Sequence, residues 1–217
     1  ASRNPPSSHT PLSRRMSQSS WSQAVRKVTG KKSRRSLVRF VFDTLGAMTV
    51  SPETFALLRL KLAPGLGPIL IDRILEKFGS GAAAVEAIET RGAAALAGIE
   101  RLGAETARKI AGAMGGTIAG AEEELRQLEG VGAVLYGLSD PGYPALLREI
   151  PGAPVTLSVR GTLDAERDRF GVAIVGSRKC TAYGAEQAAR FASGLGSAGL
   201  TIVSGGARGI DTQAHAA

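Results

Sequence analysis

Cysteine is nearly absent from this 217-residue chain: Cys180 stands alone. A single thiol excludes an internal disulfide and argues against a cysteine-based metal cluster. Histidine is almost as scarce, with only His9 and His215. Cys180 lies beside Lys179 at an expected helix N-terminus, a setting that favours the thiolate, but neither histidine is near it in sequence to act as its base. It is read as a bystander, and no catalytic residue, metal or cofactor is assigned. No apolar run reaches the roughly 18 residues of a membrane-spanning helix. Two nucleotide fingerprints are missing as well. The glycine-rich stretch after the strand expected at 172–175 is not G-x-G-x-x-G, and no G-K-[ST] follows it.

Acidic residues are the next shortage, and it is local. The chain carries 27 Lys and Arg against 19 Asp and Glu, a net charge of +8. Residues 1–50 hold ten of the basic residues and a single acidic one, Asp43. The remainder is close to neutral, so the basicity belongs to this tail, which is rich in Ser, Pro and Arg and has little hydrophobic periodicity. It is expected to be disordered. It reads as a nucleic-acid-binding arm through counterion release, as a transit peptide, or as sequence upstream of a start at Met48. Met48, just before the first helix opening, favours the third, and no function is placed on the tail. Ala217 falls inside an expected helix and the first residue is not Met, so the sequence is expected to be a fragment.

What is present is organised by glycine and by apolar periodicity. Ser51-Pro52-Glu53 is a helix opening, a cap followed by proline at the first helical position. The stretch 63–79, APGLGPILIDRILEKFG, places a Gly65-Leu66-Gly67 turn before a helix, and a weaker copy follows at 96–110. Such hairpins either offer backbone N–H groups to DNA phosphates or form a small packing module. These carry little basic charge themselves. Gly115-Gly116 marks a boundary, after which 121–128 reads as a short helix with Glu122, Glu123 and Glu124 on a solvated face. Strands are expected at 132–136 and 155–159, separated by the turn cluster at 140–144.

The most informative stretch is 171–215. The run VAIV at 172–175 has the pattern of a buried parallel strand. Gly176-Ser177-Arg178 breaks it, and Ala188, Phe191 and Leu195 then recur at helical spacing up to Gly199. LTIV at 200–203 is a second strand, followed by Ser204-Gly205-Gly206-Ala207-Arg208-Gly209 and a second helix start. Both turns lie beyond the carboxyl ends of parallel strands and before helix N-termini, where open α/β sheets bind anions. Arg178 and Arg208 add charge-assisted partners for phosphate. The alternative is that the glycines only make tight turns; two adjacent turns, each with an arginine, favour a phosphate site. Asp211 and His215, four residues apart, read either as an acid/base pair or as a brace for the turn and a structural helix residue.

The pattern G-S-R-x-x-T-x-Y-G at 176–184 and S-G-G-A-R-G-I-D-x-x-A-H at 204–215 resembles two motifs of the DprA/Smf family of DNA-processing proteins. The order Y-P-x-x-L at 143–147, a proline turn, a strand and then Gly161 is similar to that family too. The resemblance implies an α/β fold, with a Rossmann-like, extended and partly parallel sheet, preceded by a small all-α SAM or helix-hairpin-helix-like domain. The expected division is a tail over 1–50, the helical domain over 51–116, a linker helix over 117–130 and the first part of the Rossmann-like domain over 131–217. The resemblance further implies a cytoplasmic DNA-binding protein rather than an enzyme. It would bind single-stranded DNA, load the RecA recombinase during natural transformation and recombination, and form a homodimer.

Carried onto this chain, Gly176, Ser177 and Arg178 become phosphate contacts of the first turn and Ser204, Gly205, Gly206 and Arg208 those of the second. Thr181, Tyr183 and Asp211 shape the loops, with Tyr183 either packing or stacking on a base. The rival is a nucleotide-binding enzyme similar to the lysine-decarboxylase-like phosphoribohydrolases, whose P-G-G-x-G-T-x-x-E signature is not matched by S-G-G-A-R-G-I-D. A third class is an interaction scaffold built on the helical domain.

Overall fold

The computed structural model describes residues 50–164 and 166–217, so the basic tail over 1–49 lies outside the described residues. The first helix, α1 (Pro52–Leu62), is opened by local chemistry. Ser51 Oγ accepts a hydrogen bond from the Thr54 N–H at 3.0 Å, and Pro52 fills a position where its missing N–H costs nothing. Thr54, Ala56, Leu57, Leu58, Arg59 and Leu60 are all buried, so α1 is covered around its circumference and forms the centre of the helical region.

Four more helices surround it. Helix α2 (Pro68–Phe78) ends at Gly79, whose φ of 78° lets its N–H reach the Leu75 carbonyl at 2.7 Å. Helix α3 (Gly81–Arg91) is capped twice. Ser80 Oγ accepts from Ala83 N–H, and the Glu53 carboxylate of α1 accepts from the N–H groups of Gly81 and Ala82 at 2.6 and 2.9 Å. A short 3₁₀ turn over Gly92–Leu96 leads to α4 (Ala104–Ala113), and another over Met114–Gly116 leads to α5 (Thr117–Gly130). Helix α5 is longer than its apolar pattern predicts. Its acidic run is partly engaged rather than wholly solvated: Glu124 pairs with Lys61 at 2.9 Å, and burial pushes the Glu122 carboxyl up despite nearby Arg126.

The core among these helices is aliphatic, with Leu60, Ile74, Ile88 and Ile110 fully covered. One cation enters it. Arg59 donates to Glu89 at 2.6 Å, to Thr117 Oγ1 at 3.2 Å and to the Met114 carbonyl at 3.0 Å, which satisfies its guanidinium inside the fold.

Strand β1 (Ala133–Gly137) pairs antiparallel with β2 (Thr156–Arg160), with Leu135 opposite Ser158. Along β1, Ala133, Leu135 and Gly137 point inward, the alternation of a half-buried strand. This hairpin is fastened to the helices. Asp140 accepts from Thr54 Oγ1 at 2.8 Å and from the Gly137 N–H at 2.7 Å, and Val155 joins the helical core. The connection between the strands contains α6 (Ala145–Arg148), and Tyr143 closes it by donating to the Pro154 carbonyl at 2.7 Å.

The last part of the chain is a parallel unit. Strand β3 (Gly171–Ala173) pairs in parallel with β4 (Thr201–Val203) through the crossover helix α7 (Ala182–Ser197), and α8 (Ile210–Ala216) packs on α7. This is the Rossmann-like element of a mixed α/β fold. Helix α7 ends in a Schellman motif: Gly199, at φ 87°, donates to the Gly196 carbonyl at 3.0 Å, and Leu200 to that of Leu195 at 3.1 Å. The expected strand at 172–175 is shorter than its β-branched run. Ile174 still donates to the Val203 carbonyl at 2.9 Å, but β4 turns away at Ser204 and leaves Val175 nothing to pair with there.

Candidate functional site

The two glycine turns emerge side by side from the carboxyl ends of β3 and β4. Ser204 Oγ donates to the Ile174 carbonyl at 2.6 Å, tying the strand ends together. In the first turn Ser177 Oγ accepts from the Lys179 N–H at 3.1 Å and donates to its carbonyl at 3.0 Å. Both hydroxyls therefore set backbone shape, the local side-chain bonding that serine offers in turns. Thr181 caps α7 by accepting from the Gly184 N–H at 3.1 Å.

The turns touch each other through the backbone. Ile210 N–H donates to the Ser177 carbonyl at 3.2 Å. Gly209 lies directly against the Ser177 carbonyl oxygen, and a Cβ placed on it would overlap that atom. Gly176 faces the Ile210 side chain so closely that a Cβ would stand 2.7 Å from Cγ1. Gly206, by contrast, has open space around it.

Behind the second turn stands α8. Asp211 is buried against Gly205; its Oδ2 accepts from the Ala207 N–H at 3.4 Å, while Oδ1 has no partner among the described residues. His215 Nε2 is 3.1 Å from the Gly205 carbonyl, so that nitrogen carries a proton and donates it. The bond assigns His215 a bracing role toward the turn.

The front of the site is open and cationic. Arg178, Lys179 and Arg208 are exposed, and neither arginine has an ion pair or hydrogen bond among the described residues. The N–H groups of Gly176, Ser177 and Arg178 in one turn, and of Gly205, Gly206 and Arg208 in the other, have no acceptor among the described residues. Clustered N–H donors flanked by guanidinium groups are a setting for anionic oxygen. Tyr183, on the first turn of α7, is 72 % exposed, so its ring is open to solvent. Cys180 is half-buried, and no group of three metal-ligating side chains occurs among the described residues.

The helical hairpins are built differently. Lys77 Nζ donates to the carbonyls of Ala95 and Ala97 at 3.0 and 2.6 Å, and Arg73 donates to that of Glu100 at 2.6 Å. These cations finish the ends of the short turn inside the module, and Lys109 pairs with Glu105. Sequence reasoning collected the arginines and glycines of the site but passed over Gly209 and Ile210. Their signal was the glycine directly before a helix start, followed by a β-branched residue.

Comparison with known proteins bears on this region first. The model of the family described as DNA recombination-mediator protein A matches residues 134–217. Protein Smf of Synechocystis sp. is 33 % identical over 157 residues, covering 70 % of this chain and 37 % of that protein. DNA processing protein DprA of Streptococcus pneumoniae is 45 % identical over 82 residues, covering 38 % of this chain and 28 % of that protein. This chain thus spans 37 % and 28 % of the length of those two relatives. The X-ray structure of DNA processing protein A from Streptococcus pneumoniae is similar with a TM-score of 0.53 and 25 % identity, covering 78 % of this chain and 54 % of that one. Both glycine turns lie within the residues that the family model matches, and the chain belongs to the DprA/Smf family.

Proposed function

We propose that this chain binds single-stranded DNA through its two glycine turns and acts in DNA processing for recombination and transformation. The observation that carries the reading is the pair of joined turns whose N–H donors, together with Arg178 and Arg208, have no partners among the described residues. Such donors suit a phosphodiester backbone, which presents a regular series of anionic oxygens and asks for no base readout. Arg178 is the principal phosphate contact, assisted by the backbone of Gly176 and Ser177. Arg208 and the backbone of Gly205 and Gly206 make the second group, with Ser204 holding their turn. Tyr183 offers a stacking face, which would contribute about 1–3 kcal/mol per base. The reading extends to the family's implied partners, a RecA-type recombinase and a second copy of the protein.

The test is a salt series of binding to a labelled single-stranded oligonucleotide, with Arg178→Ala beside the wild type. Binding should weaken with salt, and the variant should lose affinity about tenfold or more, as for one charge-assisted contact. Its log–log salt slope should be smaller by about 0.7. Equal binding by the two proteins would move the site away from the first turn. Release of a free base from a nucleoside monophosphate, with no strand binding, would replace the reading by a nucleotide-processing enzyme.

A further inference from the structure

The second motif carries more contacts with the first turn than a separate phosphate site would need. Gly209 has φ 85° and ψ −126°, a backbone region open in practice to glycine alone. That conformation sets the Gly209 backbone flat against the Ser177 carbonyl oxygen and the carbonyl group of Arg178. The next residue uses both of its parts. Ile210 N–H donates to the Ser177 carbonyl at 3.2 Å, and the Ile210 side chain fills the space over Gly176 and Gly184, with Cδ1 3.5 Å from where a Gly184 Cβ would stand. Ile210 thereby touches the first turn at its start and the helix that follows it. The second turn is itself anchored from behind: Ser204 Oγ on the Ile174 carbonyl, Thr212 Oγ1 on the Ala207 carbonyl at 3.0 Å, and His215 Nε2 on the Gly205 carbonyl.

We infer that Gly209 and Ile210 are positioning residues: the second motif acts as a clamp that fixes the Gly176–Arg178 backbone and, through it, the direction of Arg178. The inference deepens the proposed phosphate site and rests on it for its consequence in binding. Its structural half, the clamping of the first turn, stands apart from any ligand. The clamp explains why glycine is needed where no ligand has to approach: Gly209 and Gly176 are occupied by protein atoms, whereas Gly206 is open. It also divides the motif by role, with Arg208 and Gly206 facing outward and Gly209 and Ile210 facing the first turn.

Two variants and two readouts test it on the chain. Gly209→Ala forces a Cβ onto the Ser177 carbonyl oxygen. Ile210→Ala leaves the backbone alone and only empties the space over Gly176, so it keeps the test valid if the glycine variant fails to fold. Backbone amide resonances of Gly176, Ser177 and Arg178 should shift in both variants. Affinity for a labelled single-stranded oligonucleotide should fall about tenfold or more, and the salt slope by about 0.7, matching Arg178→Ala. The Arg178→Ala, Ile210→Ala double variant should lose no more slope than either single variant, because both act on one contact. Unchanged amide resonances at 176–178 would overturn the clamp. A salt slope that falls additively in the double variant would overturn it too, showing independent contacts. Shifted resonances in a protein that binds no single-stranded DNA would sustain the clamp and discard the DNA reading of the site.

Discussion

The helical region with its β-hairpin and the parallel unit after Gly171 are stabilised in different ways. In the first, Leu58, Leu60, Ile74 and Ile110 are wholly covered, and even Arg59 is taken inside with its donors satisfied. In the second, only Ala188, Ala192, Asp211 and Ala214 are buried, and large apolar side chains such as Val175, Phe191 and Val203 stay more than half exposed. Hydrogen bonds between turns, strand ends and helix caps carry much of its order instead. The contrast teaches where rigidity and reactivity lie. A region that buries its side chains leaves little backbone for a ligand. A region rich in glycine leaves N–H groups without acceptors among the described residues, and needs a clamp such as Gly209 to hold them still.

The largest effect should come from the covered core. Ile74→Ala removes a side chain with no exposed surface and leaves a cavity among helices that cannot all collapse into it. It should destabilise the fold by about 2–5 kcal/mol, read from urea denaturation. A loss below about 1 kcal/mol would mean that the helical core is loosely packed, and the comparison would lose its first term. The same variant should leave the amide resonances of Gly176–Arg178 in place, since no described contact joins Ile74 to the glycine turns.

Much of this could be read from the sequence, and the remainder has a common cause. Ser51-Pro52 announces a helix start because capping is a contact within a few residues of the chain. The two glycine turns announce themselves through the change from β-branched runs to glycine and arginine. Pairings between distant segments left no such trace. Glu53 finishes the N-terminus of α3, Lys77 finishes carbonyls at Ala95 and Ala97, and Ile210 seats on Gly176. Each depends on two stretches meeting in space, which local periodicity does not encode. Val175 fell outside its expected strand for the same reason, since the ladder ends where its partner β4 ends. The ionic engagement of Glu124 was hidden too, because Lys61 lies on another helix.

A smaller effect, confined to acid, belongs to the entry of the parallel unit. The hydrogen bond from Arg167 holds the Asp168 carboxyl well below the usual carboxylate range, helped by the Asp164 N–H and by Thr201 Oγ1 at the start of β4. A depressed folded value means that the unfolded chain takes up the proton first as pH falls. The contribution to stability is therefore complete above about 3.9 and is lost as pH falls from there toward the lowered folded value. Asp168→Asn should flatten the stability-against-pH curve in that window. The group is half-buried and still in contact with solvent, which screens it, so an unchanged curve in low salt would show that Thr201 and β4 gain nothing from it.

The smallest effect should be the most telling for the comparison. Phe191 lies on α7 with 59 % of its surface exposed, about two helical turns beyond Gly184, and it is neither a clamp contact nor a phosphate donor. Phe191→Ala removes little buried area, and alanine is the better helix former, so stability should change by no more than about 0.5 kcal/mol. Denaturation beside Ile74→Ala gives the two numbers on one scale. Equality near zero at Phe191 keeps the parallel unit as a backbone-held, open-faced element. A loss of about 2 kcal/mol would mean that this ring is covered in solution, and the distinction between a side-chain-held and a backbone-held region would give way to two buried cores of one kind.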